Sequence, residues 1–196
     1  PIINMLEFCR DENIKPSIIF SGTVTVFGLT SKLPVNEFRE NNPLTIYDLH
    51  KLIVEKYLKY YSDNYGVKSV TLRLANVYGP GPSSKSNGRG ILNMMVSKAV
   101  NKQNLTIYGE GNFVRDYIYI DDVVNAFLKS SIYIEELKGK FFIISTGIGS
   151  SIKDVFKLIV NKAYKNNKSK IKNIDSPSGI SILESRNFIG NSTSFS

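Results

Sequence analysis

The sequence predicts an α/β fold with a parallel sheet, on three observations. Short strand-like apolar runs at residues 17–20, 67–74 and 140–146 are separated by longer segments with helical apolar spacing. The run Phe141-Phe142-Ile143-Ile144 is apolar on both faces, as a strand covered by helices on either side must be. The first run ends in Ser21, Gly22, Thr23 and Thr25, so hydroxyls collect at the C-terminal end of a buried strand, where open α/β sheets place their ligand chemistry.

Each element follows in order. Residues 2–10 are an apolar-periodic helix, residues 11–15 a polar turn, and Pro16 leads into the first strand. Residues 29–43 form a polar, Pro-containing loop with Glu37 and Glu40, and Pro43-Leu44-Thr45 brings the chain to a helix opening at Ile46-Tyr47-Asp48 and ending near Tyr65-Gly66. Asp48 in its first turn suits the helix dipole. His50, one residue before Lys51, points to a different face and reads as packing or exposed surface. In the next strand Val70, Leu72 and Leu74 alternate with polar positions, and Tyr78-Gly79-Pro80-Gly81-Pro82 is a rigid turn leaving the sheet. Residues 83–90 read as a flexible loop, residues 91–100 as an amphipathic helix, and residues 105–108 as a short strand before the Gly109-Glu110-Gly111-Asn112 turn. Asp121 and Asp122 read as N-cap residues of the helix containing Val123. After the strand at 140–146, Ser150 or Ser151 caps a helix running to about Tyr164. The tail from Asn167 is polar, with residues 182–184 a possible short strand.

Composition removes several function classes. A chain of 196 residues at 42% hydrophobic can bury one proper core or two small lobes. A net charge of +8 raises the question of nucleic acid or a membrane surface. The lysines are scattered among Asn, Ile and Tyr, and the densest run, residues 162–172, reads as a solvated helix end and loop, so neither partner is expected. One cysteine, Cys9, and one histidine, His50, offer no disulfide framework and no Cys/His metal site. No apolar stretch approaches the roughly 20 residues of a membrane span and no signal peptide is visible. A cytoplasmic setting is the default.

The helix that opens at Ile46 carries a chemical pairing. Tyr47 and Lys51 are four apart, so both project from one helical face. A phenol with an ordinary pKa near about 10 is a poor base at neutral pH, and a cation held close favours its phenolate. The lysine's three donors could also hold a sugar or ribose hydroxyl. Alone, the spacing equally describes a surface tyrosine packed along a lysine stem.

Two further blocks accompany it: Arg73-Leu74-Ala75-Asn76-Val77-Tyr78-Gly79-Pro80-Gly81 and Arg115-Asp116-Tyr117-Ile118-Tyr119-Ile120-Asp121-Asp122-Val123. With the Ser21 to Gly28 hydroxyl block and the Tyr47/Lys51 pair, in this order, the chain resembles the extended short-chain dehydrogenase/reductase family over essentially its whole length, in particular its NAD-dependent nucleotide-sugar epimerases and dehydratases of the UDP-glucose 4-epimerase kind.

The resemblance implies the C-terminal part of a Rossmann-like parallel sheet with an interleaved smaller α/β substrate-binding lobe. Residues 1–80, with 115–147 returning, would form the NAD-binding domain, and residues 81–114 and 148–196 the substrate lobe. It implies NAD as cofactor, a nucleotide diphosphate sugar as substrate and a homodimer for the full-length protein. Tyr47 would be the base, with Thr23, matched by counting back from Val26-Phe27-Gly28, and Lys51 assisting. Ser21, Tyr47, Lys51 and Leu74 would touch the cofactor, and Thr23, Asn76, Arg115 and, more weakly, Arg186 the substrate. A structural Arg115–Asp116 pair is the alternative for that arginine. The family commonly has Tyr where Phe27 stands. Its 4,6-dehydratases carry an acidic pair directly after the catalytic Thr, where this chain has Val24 and Thr25, so epimerisation or keto-sugar reduction is expected over dehydration. A binding-only member of the family is the remaining alternative. The family's glycine-rich phosphate turn has no counterpart in the 196 residues. The chain therefore reads as a piece that begins partway through the domain and is expected to be inactive by itself.

Overall fold

The computed structural model describes residues 1–30, 32–80, 91–101, 103, 105–108, 110–163 and 172–174. Helix α1 (Ile2–Asp11) leads to strand β1 (Ser17–Thr23), a single 3-10 turn (Val24–Phe27), and the long helix α2 (Ile46–Tyr65). Strands β2 (Lys68–Leu74) and β3 (Asn76–Tyr78), helix α3 (Ile91–Val100), and strands β4 (Thr106–Tyr108) and β5 (Val114–Tyr119) follow. The chain continues through α4 (Ile120–Ile132), the short α5 (Ile134–Leu137), β6 (Lys140–Ile144), β7 (Gly149–Ser151), α6 (Ile152–Ala163) and β8 (Lys172–Ile174).

The main sheet has the order β1-β2-β6, all parallel, and Thr23 lies beside Leu74 and Leu74 beside Ile144 in register. The C-terminal ends of the three strands thus finish level. The alternation seen in the β2 sequence does not mark a solvated face: Ser69, Thr71 and Arg73 are buried along with Val70 and Leu72. A central strand covered on both sides has no wet face, so its polar residues must find partners inside. Ser69 Oγ donates to the Leu58 carbonyl of α2 at 3.0 Å, and Arg73 pairs with Glu55 of the same helix.

Helices cover both faces. Leu6 of α1 packs with Leu58 and Tyr61 of α2 and with Val67, while Val123 and Ala126 of α4 pack with Val70, Leu72 and Ile144 on the other side. Of the segment 115–147, β6 returns beside β2. Strand β5 lies instead parallel to β3 and antiparallel to β7. A separate core joins Met95 and Ala99 of α3, Leu105, Ile107 of β4 and Phe156 of α6.

Several boundaries differ from expectation for identifiable reasons. Asp121 and Asp122 are not N-caps: α4 starts at Ile120 with Tyr119 as its cap residue, and both acids sit in the first turn, where their charge still favours the helix dipole. Ser151 does cap α6, accepting from Asp154 N–H at 3.0 Å. Strand β8 pairs with β4, and the possible strand at residues 182–184 lies outside the described residues. No helix among the described residues is long and apolar enough to cross a membrane.

Candidate functional site

The site is built where β1 ends and α2 begins. Gly22 lets β1 run tight against β2, because a Cβ there would stand 2.7 Å from Thr71 Cγ2. The next residue, Thr23, is buried and extended, and its Oγ1 accepts from Thr25 N–H at 3.2 Å, starting the 3-10 turn. That turn stops at Gly28, whose φ of 68° and close approach to the Asn42 carbonyl leave no room for a side chain.

Helix α2 begins with a capping box. Thr45 Oγ1 accepts from Asp48 N–H at 3.2 Å and Asp48 Oδ2 accepts from Thr45 N–H at 3.1 Å. Asp48 does more than complement the dipole: its other oxygen accepts the Thr25 hydroxyl, and the residue is 1% exposed. Thr25 Oγ1 also lies 2.9 Å from Thr23 Oγ1. A chain of three side chains therefore ties the strand end to the first turn of α2.

Tyr47 and Lys51 project from α2 as their spacing predicts, yet with different surroundings. Tyr47 is 58% exposed. Lys51 is half-buried, donates to the Ser21 carbonyl at 2.7 Å and lies 4.8 Å from the Phe20 ring centroid and 5.8 Å from that of Tyr47. The expectation that Lys51 draws the Tyr47 phenol down is not met in this arrangement. Burial pushes Tyr47 above its ordinary value and the adjacent Asp48 carboxylate adds to it, while burial pulls Lys51 below its own. The ammonium instead donates to a carbonyl. His50 is exposed and belongs to neither group.

The second half of the site lies on β3 and β5. Asn76 Nδ2 donates to the Asp116 carbonyl at 3.0 Å, and Asn76 stands beside Tyr117 in register. Arg115 is half-buried, and its Nη1 donates to the Val114 carbonyl at 3.2 Å. Asp116 is fully buried and accepts from Thr146 N–H and Thr146 Oγ1 at 2.9 Å and from Gly147 N–H at 2.7 Å. Its carboxylate thus holds the connection after β6 against β5. Arg186 lies outside the described residues.

The partners of four residues that organise this region escaped the sequence reading: those of Asp48, Glu55, Arg73 and Asp116. One signal was available. Glu55 continues the four-residue spacing of Tyr47 and Lys51, which puts an acid on the sheet-facing side of α2, where only a buried cation could meet it. The described residues hold no group of three or more His, Cys, Asp or Glu side chains that could bind a metal. A nucleotide cofactor fits the residues present: a half-buried ammonium bonded to the Ser21 carbonyl, with the exposed Tyr47 ring beside it, lies by the end of β1 in a parallel sheet.

The NAD dependent epimerase/dehydratase family matches residues 2–141. A putative UDP-glucose 4-epimerase of Methanocaldococcus jannaschii is 34% identical over 157 residues, 80% of this chain and 50% of that protein. The dTDP-4-dehydro-6-deoxyglucose reductase of Escherichia coli is 34% identical over 168 residues, 85% of this chain and 51% of that protein. Among solved structures, the UDP-glucose 4-epimerase of Thermotoga maritima with UDP-glucose matches with a TM-score of 0.83 at 29% identity, covering 98% of this chain and 59% of that one. The chain spans about half the length of the curated relatives it matches.

Proposed function

Since the chain belongs to the NAD dependent epimerase/dehydratase family, we propose that the protein carrying it epimerises a nucleotide diphosphate sugar through a transient keto-sugar. The observation that carries this reading is the joint between Thr23 and the first turn of α2, which sets a strand-end hydroxyl next to the helix bearing Tyr47 and Lys51. Tyr47, as phenolate, takes the proton of the sugar hydroxyl that becomes the ketone and later gives it back. Thr23 hydrogen-bonds the same oxygen. Lys51 holds the cofactor ribose, and Ser21 and Leu74, at the ends of adjacent strands, complete that side. When bound, NAD accepts and returns the hydride, and its positive ring favours the phenolate. Asn76 and Arg115 hold the sugar and its diphosphate, a planar guanidinium offering paired donors to phosphate oxygens. Arg186 is a further candidate for the same role.

The sheet and its covering helices form the cofactor side, and the separate core of α3, β4 and α6 belongs to the substrate lobe. A homodimer is part of this reading. Ile46, Leu49, Ile53, Tyr57 and Tyr60 are exposed on one stripe of α2, spaced as two packed helices require. A cytoplasmic setting fits the lone free Cys9.

Elimination of water needs an acid after Thr23, and Val24 and Thr25 supply none. A second reading, reduction of a keto-sugar, is favoured by the likeness to the E. coli reductase. Incubation of the protein with NAD and a panel of nucleotide sugars, followed by NMR, tests the proposal. Epimers form with no net change in NAD; a reductase instead consumes reduced cofactor in proportion to product. Tyr47→Phe lowers turnover by roughly 10²–10⁴-fold with substrate binding kept. Near-normal turnover would remove Tyr47 from the mechanism.

A further inference from the structure

The side chains linking Thr23 to α2 determine where their protons point. Thr25 Oγ1 donates to Asp48 Oδ1, and a carboxylate has no proton to give in return. A hydroxyl carries one proton, so the 2.9 Å bond between Thr25 Oγ1 and Thr23 Oγ1 takes its proton from Thr23. Thr23 Oγ1 meanwhile accepts from Thr25 N–H. What remains on Thr23 is one lone pair and no uncommitted proton.

We propose that Asp48 is a positioning residue that, through Thr25, makes Thr23 a hydrogen-bond acceptor toward the ligand. The functional half of this inference rests on the epimerase reading. A sugar hydroxyl is a donor and satisfies the lone pair, with its oxygen set for Tyr47. A keto oxygen is an acceptor and meets lone pair against lone pair, until Thr23 turns its proton away from Thr25. The resting site is thus matched to the alcohol form of the sugar, the form an epimerase binds and releases, and not to the ketone that a reductase takes up. Burial of Asp48 and Thr23 favours this order, and the second carboxylate oxygen already caps Thr45 N–H.

Neutron diffraction on deuterated protein reads the order directly. The deuterium on Thr23 Oγ1 is expected on the line to Thr25 Oγ1, and that of Thr25 on the line to Asp48. A Thr25 deuterium directed at Thr23 overturns the proposal. Thr25→Val and Thr25→Ser read the consequence without disturbing the helix cap. The valine variant is expected to lose about tenfold in kcat with KM within about twofold, since the diphosphate grip is untouched, and the serine variant to recover it. Equal kcat in Thr25→Val and wild type, equal losses in both variants, or a loss confined to KM overturns the positioning role. A wild-type protein inactive on every nucleotide sugar refutes the epimerase reading instead, and the diffraction result then decides the proton order by itself.

Discussion

Arg73 and Glu55 form a two-pronged ion pair sealed between β2 and α2, with Nε 2.9 Å from Oε2 and Nη2 2.6 Å from Oε1. The guanidinium lies 3.8 Å from the Phe141 ring centroid and 4.7 Å from that of Phe27. One helical turn before Glu55 stands Lys51, so the pair sets the rotation of the helix that aims Lys51 and Tyr47. Removing the acid strands a charge that is 0% exposed. Glu55→Ala is expected to cost about 3–5 kcal/mol in chemical denaturation. A loss below about 1 kcal/mol would mean that the helix is held by its apolar contacts alone.

The environments of Tyr47 and Lys51 push their pKa values toward each other, the phenol up and the ammonium down. Catalysis needs the phenolate and the ammonium together, so kcat/KM rises with pH as Tyr47 deprotonates and falls as Lys51 does. Lys51→Met removes the ammonium, which donates to the Ser21 carbonyl. The falling limb then disappears, and the rising limb, governed by burial of the phenol and by Asp48, stays in place. A rising limb moved to higher pH would show that Lys51 also favours the phenolate.

Arg115→Ala is expected to weaken nucleotide-sugar binding by about tenfold or more, the loss of a charged hydrogen bond, and to leave NAD affinity unchanged. Calorimetry with both ligands separates the cases. Equal weakening of both would assign Arg115 to the framework of β5, beside Asp116.

Ile53→Glu places a charge in the middle of the exposed α2 stripe. On the proposed homodimer, sedimentation is expected to show dimers for the wild type and monomers for Ile53→Glu, with melting of the individual subunit little changed. A dimer that survives the substitution would place the interface on another face.

What could be read without coordinates were features carried by local spacing. Tyr47 and Lys51 are one turn apart in any helix, and Phe141 to Ile144 reads as a buried strand from its apolar character alone. The helix at Ile91–Val100 and the end of α2 at Gly66, whose φ is 73°, are equally local. Asp48 looked like a dipole residue because its second partner, Thr25, lies across a loop whose path no periodicity describes. The Arg73–Glu55 pair was hidden for a related reason: in β2 the alternation of polar and apolar residues imitates a half-exposed strand, although both faces are covered. In the Arg115-Asp116 block the arginine drew the ligand role, while the acid's partners, Thr146 and Gly147, lie on a distant connection.

The loop before α2 reaches across to the far side of the sheet, where Glu37 Oε1 accepts from Ile143 N–H of β6 at 2.9 Å. Among the described residues β6 is an outer strand, and a carboxylate on its amide occupies the position that an incoming strand's carbonyl would need. The same loop that leads to the Tyr47 helix therefore guards against cross-pairing between molecules. Loosening it would bare a sticky margin of β6, so clumping on mild heating is expected to precede loss of the fold.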